Sequence, residues 1–422
     1  MFQNRPKSKT SEVLIIGGGV IGVCSAYYLL QEGFSVTLLE KDRINAGSTY
    51  GNAGLIIPSD SLPVPAPGAL TQGLRWLLDS ASPFYIKPTL DPDVLRWLWG
   101  FQGACRERAW RRAAPLLTEL SVKSVPLFEE IIQQEGIDCH YQREGLMLLY
   151  ENQHSLLEGI ELLKKLVEYQ IEGEVLRGEK IKQRFHPARP EIAGGIFFEP
   201  DAHLDPAIFT AQLADRCVDQ GLDLVEDCEV LGFERSGSEI SGVKTTRGSF
   251  QMEQVVLAAG AWTQPLGKQL GLRLPVQPAK GYSITVERPE HYPEIPLLLD
   301  EAKIAVTPLE DTLRFAGTLE LAGLNLDINQ KRVQAILDNA ARYLSVDIKD
   351  HPLVEIWRGL RPCTSDGLPI IGRSQKVTNL IAATGHCMLG VSQGTLTGKL
   401  VAGITAGNQS DLDLDALSPD RF

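Results

Sequence analysis

The chain has 422 residues and a formal net charge of −12, with 22% charged and 43% hydrophobic residues. That length exceeds what a single hydrophobic core serves, so two joined domains are expected, and the composition is that of a globular protein rather than a disordered or low-complexity one. The acidic balance repels phosphate backbones and excludes nucleic acid as a main partner.

The segment Met1 to Ser11 is polar and basic, and the apolar run after it is cut by Gly17 to Gly19, unlike a signal peptide. Glu12 to Ile16 carries the short apolar run of a buried parallel strand, Val20 to Glu32 has helical spacing, and Ser35 to Glu40 reads as a second strand. Together they make a βαβ unit of about 30 residues. From Pro58 to Pro92 prolines recur (Pro58, Pro63, Pro65, Pro67, Pro83, Pro88, Pro92), which predicts an irregular excursion out of the first domain. Leu70 to Gly100 is rich in Trp, Phe and Leu, which leaves room for peripheral membrane or partner-subunit contact, although no stretch reaches about 18 uninterrupted apolar residues. A cytoplasmic location, with attachment to the inner membrane left open, is the expectation.

Helical stretches follow at Asp93 to Gln134 and Asn152 to Tyr169, and Asp205 to Gln220 opens with Asp-Pro, a favourable helix start. Strand-like runs at Leu222 to Glu226 and Gln254 to Leu257 are expected to rejoin the first sheet. Val276 to Gly317 alternates apolar and polar residues as an antiparallel sheet does and is expected to roof a substrate, and the last segment ends in a helix, Ser392 to Ala406. The seven cysteines are scattered with no C-x-x-C pair, so they read as reduced thiols of a cytosolic protein. The seven histidines show no H-x-x-x-H or H-x-H spacing, and no metal site is expected.

Gly17-x-Gly19-x-x-Gly22 follows the first predicted strand and opens the helix, and Glu40 ends the next strand. In such a fingerprint Gly17 permits a tight turn, Gly19 admits the pyrophosphate to the backbone and Gly22 lets helix and strand pack closely; Glu40 suits the adenosine ribose hydroxyls. The fingerprint lies near the N-terminus and is not repeated, which favours FAD over a nicotinamide cofactor. The expected fold is α/β, a Rossmann-like FAD-binding domain from residues 1–60, 185–270 and 353–422, with an inserted antiparallel-sheet-plus-helix substrate domain from 61–184 and 271–352.

Further motifs resemble the D-amino-acid oxidase and dehydrogenase superfamily of FAD enzymes, which includes glycine and sarcosine oxidases. Gly47-Ser48-Thr49-Tyr50-Gly51-Asn52-Ala53-Gly54 is similar to its second flavin-contacting loop, and Ala259-Gly260-Ala261-Trp262 to its A-G-A-W strand end. Gly359-Leu360-Arg361-Pro362, Thr364, Asp366-Gly367, Pro369 to Gly372, Thr384-Gly385-His386 and Gly390 resemble its C-terminal signature. Ala66-Pro67-Gly68, Trp97-Leu98-Trp99, Lys280-Gly281-Tyr282, Arg314 to Thr318 and Glu320 look most like the bacterial D-amino-acid dehydrogenase branch, although the loop before Gly54 reads S-T-Y-G-N-A-G where many of that branch carry S-F-A-N-G-G.

The resemblance implies oxidative deamination of a D-amino acid to a 2-oxo acid and ammonia, by hydride transfer from Cα to flavin N5, with electrons passed to a quinone or other acceptor. Glycine or sarcosine oxidation, a D-hydroxyproline or proline activity, and a subunit of a hydrogen cyanide synthase-like complex stay open. So do two readings of another class, an NAD-dependent dehydrogenase and a non-catalytic flavin-fold protein. The resemblance makes Arg361 the carboxylate clamp, a task that suits the planar guanidinium fork, and sets Tyr282 at the border of the substrate. It implies non-covalent FAD binding by Gly17, Gly19, Val20, Ile21, Gly22, Glu40, Lys41, Ser48, Thr49, Asn52, Ala53, Gly54, Leu55, Val230, Ala259, Gly260, Trp262, Gly359, Arg361, Gly385, His386 and Gly390. Arg314 could support the substrate carboxylate, but pairing with an acid in the roof sheet is the favoured expectation. Cys363 is expected to be a packed thiol, because its offset from Asp366 does not match the cysteine through which some sarcosine oxidases attach flavin.

Overall fold

The computed structural model describes residues 10–69, 83–346 and 348–422. The first unit forms as its pattern requires: β1 (Thr10–Ile16), α1 (Val20–Gln31) and β2 (Val36–Leu39). Val13 to Ile16 are all buried, and α1 is buried on most of its circumference, as an apolar helix inside a layered fold must be. It packs against the C-terminal helix Gly394–Ala406, where a Cβ on Gly398 would lie 2.5 Å from the Cys24 backbone, so the two helices meet almost backbone to backbone.

The nucleotide sheet runs in the order Asp223–Val225, β2, β1, Gly248–Leu257 and Leu380–Thr384, all parallel, with Ile370–Arg373 antiparallel at the edge. Both strand-like runs expected to rejoin this sheet do so. Register aligns Ile16 with Leu39 and Leu257, so three strands end together. The loops leaving those ends form the crevice where open parallel sheets bind ligands.

The second sheet has nine strands among the described residues. Its order is Leu353–Thr364, Val276–Glu287, Thr312–Leu321, Ile304–Leu309, Leu297–Leu299, Leu146–Tyr150, Gly194–Phe198 and Glu174–Leu176, with Phe84–Ile86 beside Thr312–Leu321. The alternating region from Val276 is antiparallel, as expected. Two boundaries differ from the sequence reading. Gly194–Phe198 pairs with Leu146–Tyr150, and Leu353–Thr364 pairs with Val276–Glu287, so both belong to this sheet although their segments were grouped with the nucleotide domain. A short apolar run satisfies either sheet equally well, and only long-range pairing chooses.

The stretch from Asp93 to Gln134 divides into helices Pro92–Ala104 and Glu107–Glu135, because Arg106 takes an extended conformation between them. Residues 70–82 of the Trp-rich segment lie outside the described residues. In its remainder Trp97 is buried and Trp99 is 80% exposed. Among the described residues no helix is long and apolar enough to cross a membrane.

The cysteines differ from expectation. Cys363 and Cys387 form a disulfide with Cα atoms 4.4 Å apart, while Cys24, Cys105, Cys139, Cys217 and Cys228 are free. The bridge follows from tertiary pairing: Cys363 stands opposite His386, and the Cys387 N–H donates to the Pro362 carbonyl at 2.9 Å. No C-x-x-C spacing announces such a contact.

Candidate functional site

The glycine cradle is sterically compulsory. Gly17 has φ of +112°, and a Cβ there would lie 2.4 Å from the Ala258 carbonyl oxygen; one on Gly22 would lie 1.9 Å from the Gly17 carbonyl oxygen. A side chain at either position closes the turn. Glu40 closes the other side: one carboxylate oxygen accepts from the Gly18 N–H at 2.7 Å and the other from the Asp42 N–H at 3.0 Å. Burial raises the Glu40 pKa, and these two hydrogen bonds oppose the rise. Thr49 Oγ1 accepts from the Val20 N–H at 3.1 Å, so it caps α1, as a hydroxyl in a turn commonly does. Ile21 lies on the first turn of the same helix.

The other expected cofactor residues gather round this crevice. Lys41 Nζ lies 3.9 Å from the centroid of the Trp262 ring, which follows Ala259 and Gly260 at the end of Gly248–Leu257. Val230 begins the strand Val230–Ser236, two residues after Cys228, whose N–H donates to the Glu40 carbonyl. Ser48 lies in the turn before Thr49, and Asn52 Oδ1 accepts from the Gly54 N–H at 2.9 Å just before Leu55. Ala53 packs beside Leu55.

The loop from Tyr50 to Gly54 then faces the second sheet. Arg314 Nη1 donates to the carbonyls of Tyr50 at 3.2 Å and Asn52 at 2.8 Å. This replaces the expected acid pair: Arg314 fastens the loop through backbone oxygens, and Asp205 and Glu355 act on it only at longer range. A Cβ on Gly51 or on Gly359 would collide with the Trp357 ring, and Tyr50 lies 6.4 Å from Trp357 between ring centroids. Trp357 was not among the sequence candidates, since a tryptophan in a strand reads as core.

Arg361 stands on the same face. Its Nη1 donates to the Thr318 carbonyl at 2.7 Å, and no carboxylate among the described residues pairs with it. Its guanidinium occupies the space a Cβ on Gly281 would need. Burial alone lowers its pKa to about 10, so it stays cationic at neutral pH.

Tyr282 does not join it. Residues alternate along Val276–Glu287, and with Gly281 against Arg361, Tyr282 faces the opposite side, among Ile284, Phe315 and Tyr343. Its hydroxyl accepts from the Asn329 N–H at 3.3 Å and it is 1% exposed. The family resemblance set it at the border of the substrate, but strand alternation turns it away from Arg361.

His386 is buried beside the crevice, its Nε2 2.9 Å from Thr397 Oγ1 and its Nδ1 without a partner among the described residues. Burial lowers its pKa to about 3, which keeps the ring neutral. Gly385, with φ of +83°, makes the preceding turn, and Gly390 lies 3.7 Å from the His386 Cβ by its missing Cβ position.

A parallel sheet with this cradle at its strand ends, roofed by a second sheet that presents a half-buried arginine with no acid partner among the described residues, defines the class of a dinucleotide-binding enzyme. The chain belongs to the FAD dependent oxidoreductase (DAO) family, whose model matches residues 12–404. It is 32% identical to a D-amino acid dehydrogenase of Granulibacter bethesdensis over 416 residues, which cover 97% of this chain and 99% of that relative. Among solved structures, glycine oxidase from Geobacillus kaustophilus superposes with a TM-score of 0.81 at 23% identity, covering 98% of this chain and 99% of that one. L-proline dehydrogenase from P. horikoshii gives 0.75 at 19% identity, with 98% of each chain covered.

FAD is therefore the cofactor, and the residues fit it. The cradle accepts only glycine at its two tightest points, and the Nδ1 of His386 is an orphaned buried polar atom among the described residues.

Proposed function

We propose that the chain is a D-amino-acid dehydrogenase that oxidises its substrate to an imino acid, which water hydrolyses to a 2-oxo acid and ammonia. Electrons leave to a quinone or another acceptor. The observation that carries the reading is Arg361, a half-buried guanidinium on the cofactor-facing side of the roof with a backbone carbonyl as its partner and, among the described residues, no carboxylate beside it. A half-buried guanidinium with no acid beside it can take a substrate carboxylate bidentately. The relative named D-amino acid dehydrogenase supports the substrate class.

Bound FAD supplies the two-electron acceptor. The chain supplies the rest. Arg361 holds the carboxylate, and Thr318 holds Arg361 from behind. Arg314 keeps the Tyr50 to Gly54 loop against the roof, so the distance between cofactor wall and clamp is set by hydrogen bonds rather than by a flexible loop. The neutral His386 ring adds no second cation to compete for the carboxylate. In this reading the cofactor is held without a covalent bond, since Cys363 is engaged with Cys387.

The test is the visible spectrum of the purified protein under anaerobic conditions, before and after adding D-amino acids, L-amino acids, glycine, sarcosine and proline in turn. Bleaching of the flavin bands by D-amino acids and not by L isomers is the expected outcome. Readmitting air then separates the two acceptors, because slow recovery marks a dehydrogenase and fast recovery an oxidase. Bleaching by glycine, sarcosine or L-proline alone would overturn the substrate class while leaving the cofactor in place.

A further inference from the structure

Away from the cofactor crevice, three side chains from remote segments converge. His140 follows the helix Glu107–Glu135, His203 ends the short strand Ala202–His203, and Glu294 lies in the loop before Leu297–Leu299. One ligand atom from each lies within 4.8 Å of the others. His140 Nε2 is 3.2 Å from Glu294 Oε2, and the second oxygen of Glu294 is held by Arg288 at 2.6 Å. His203 is wholly buried, and neither ring nitrogen makes a hydrogen bond of normal geometry among the described residues, the Pro308 carbonyl acting on the ring from a looser position.

An ordinary His–Glu pair explains two of these residues. It leaves the third unexplained, because a buried ring is rarely left without a well-formed hydrogen bond. We propose that His140, His203 and Glu294 bind a divalent transition ion of the Zn²⁺ class. Two imidazoles and one carboxylate oxygen are the donor set such ions take, whereas Mg²⁺ and Ca²⁺ prefer oxygen alone. Arg288 orients Glu294 from outside, as an outer partner does for a metal-bound carboxylate. His140 and Glu294 are only partly buried, which leaves a side open for the ion to enter and for water to complete its coordination.

The site is structural rather than catalytic. His203 pairs with Leu55, directly after the Tyr50 to Gly54 loop, and its backbone also exchanges hydrogen bonds with Gln142. Glu294 precedes Pro296, whose carbonyl accepts from the Met147 N–H. The ion therefore ties the stem of the cofactor loop to the second sheet. Local spacing conceals the set, because its members meet only after both sheets have formed.

The experiment is calorimetric titration of the EDTA-treated holoenzyme with ZnSO₄, alongside its melting temperature with and without the metal. One equivalent bound per chain, a raised melting temperature and no response to MgSO₄ are expected. His140→Ala and Glu294→Gln, both at accessible positions that leave the buried ring in place, should each weaken Zn²⁺ binding by at least tenfold, while His154→Ala on the surface should leave it unchanged. His203→Ala should abolish binding if it folds. Absence of Zn²⁺ binding, or binding that His140→Ala and Glu294→Gln leave intact, would overturn the site.

Discussion

Lys280 and Arg361 lie on neighbouring strands of the roof sheet and face opposite sides of it, and the two sides treat buried positive charge differently. On the side away from the cofactor, Lys280 is 3.5 Å from Glu320 and Arg332 is 3.0 Å from the same carboxylate, all three side chains being nearly inaccessible. Lys280 also donates to Asn325 Oδ1 and the Asp327 carbonyl. That cluster is closed. On the cofactor side, Arg361 and Arg314 hydrogen-bond only to backbone carbonyls among the described residues. The contrast separates cations closed by an acid from cations held by backbone carbonyls, of which Arg314 fastens a loop and Arg361 keeps the free edge that the proposed function uses.

The comparison breaks most sharply at its closed end. Glu320→Gln leaves Lys280 and Arg332 without their shared acid, and loss of one member of a buried ion cluster costs about 3–5 kcal/mol. Chemical denaturation should show that loss, while KM for the amino acid stays within about twofold if the cluster is structural. A selective rise in KM with unchanged stability would assign the cluster to the substrate instead.

At the open end the signs reverse. Arg361→Ala should keep its flavin spectrum and fold, with KM for the D-amino acid raised by roughly 3 kcal/mol of lost carboxylate binding, about two decades. An unchanged KM would remove Arg361 from the substrate site.

His386 offers a smaller effect through pH. Its folded pKa of about 3 lies below the ordinary 6.5, so between these values the unfolded chain binds a proton that the native protein refuses. The neutral ring's contribution is complete above about pH 6.5 and falls away at up to about 1.4 kcal/mol per pH unit as pH drops toward 3. In scanning calorimetry from pH 7 to pH 4, His386→Gln should therefore lose less melting temperature than the native chain. Parallel slopes would mean that the ring is not protected from protonation.

Much of the nucleotide half was legible from residue order. Gly17, Gly22 and Glu40 act within one contiguous βαβ unit, and most of what constrains them is local: a positive φ at Gly17, the Gly17 carbonyl where a Cβ on Gly22 would stand, and two backbone N–H groups within reach of one carboxylate, with only the Ala258 carbonyl beside Gly17 coming from a distant strand. The roof was legible only in outline. Its alternating pattern showed that Val276 to Gly317 is antiparallel, and motif resemblance singled out Arg361, but neither could tell that Tyr282 faces away or that Arg314 binds carbonyls.

Contiguous sequence determined the turn chemistry, the helix starts and the cofactor cradle, because each depends on atoms a few residues apart or on one pair of adjacent strands. Tertiary structure alone decided which sheet received Gly194–Phe198 and Leu353–Thr364, that Cys363 meets Cys387, and that His140, His203 and Glu294 converge. Those outcomes depend on long-range pairing, where side-chain facing reverses with every residue along a strand and a register shift of one residue exchanges the two faces.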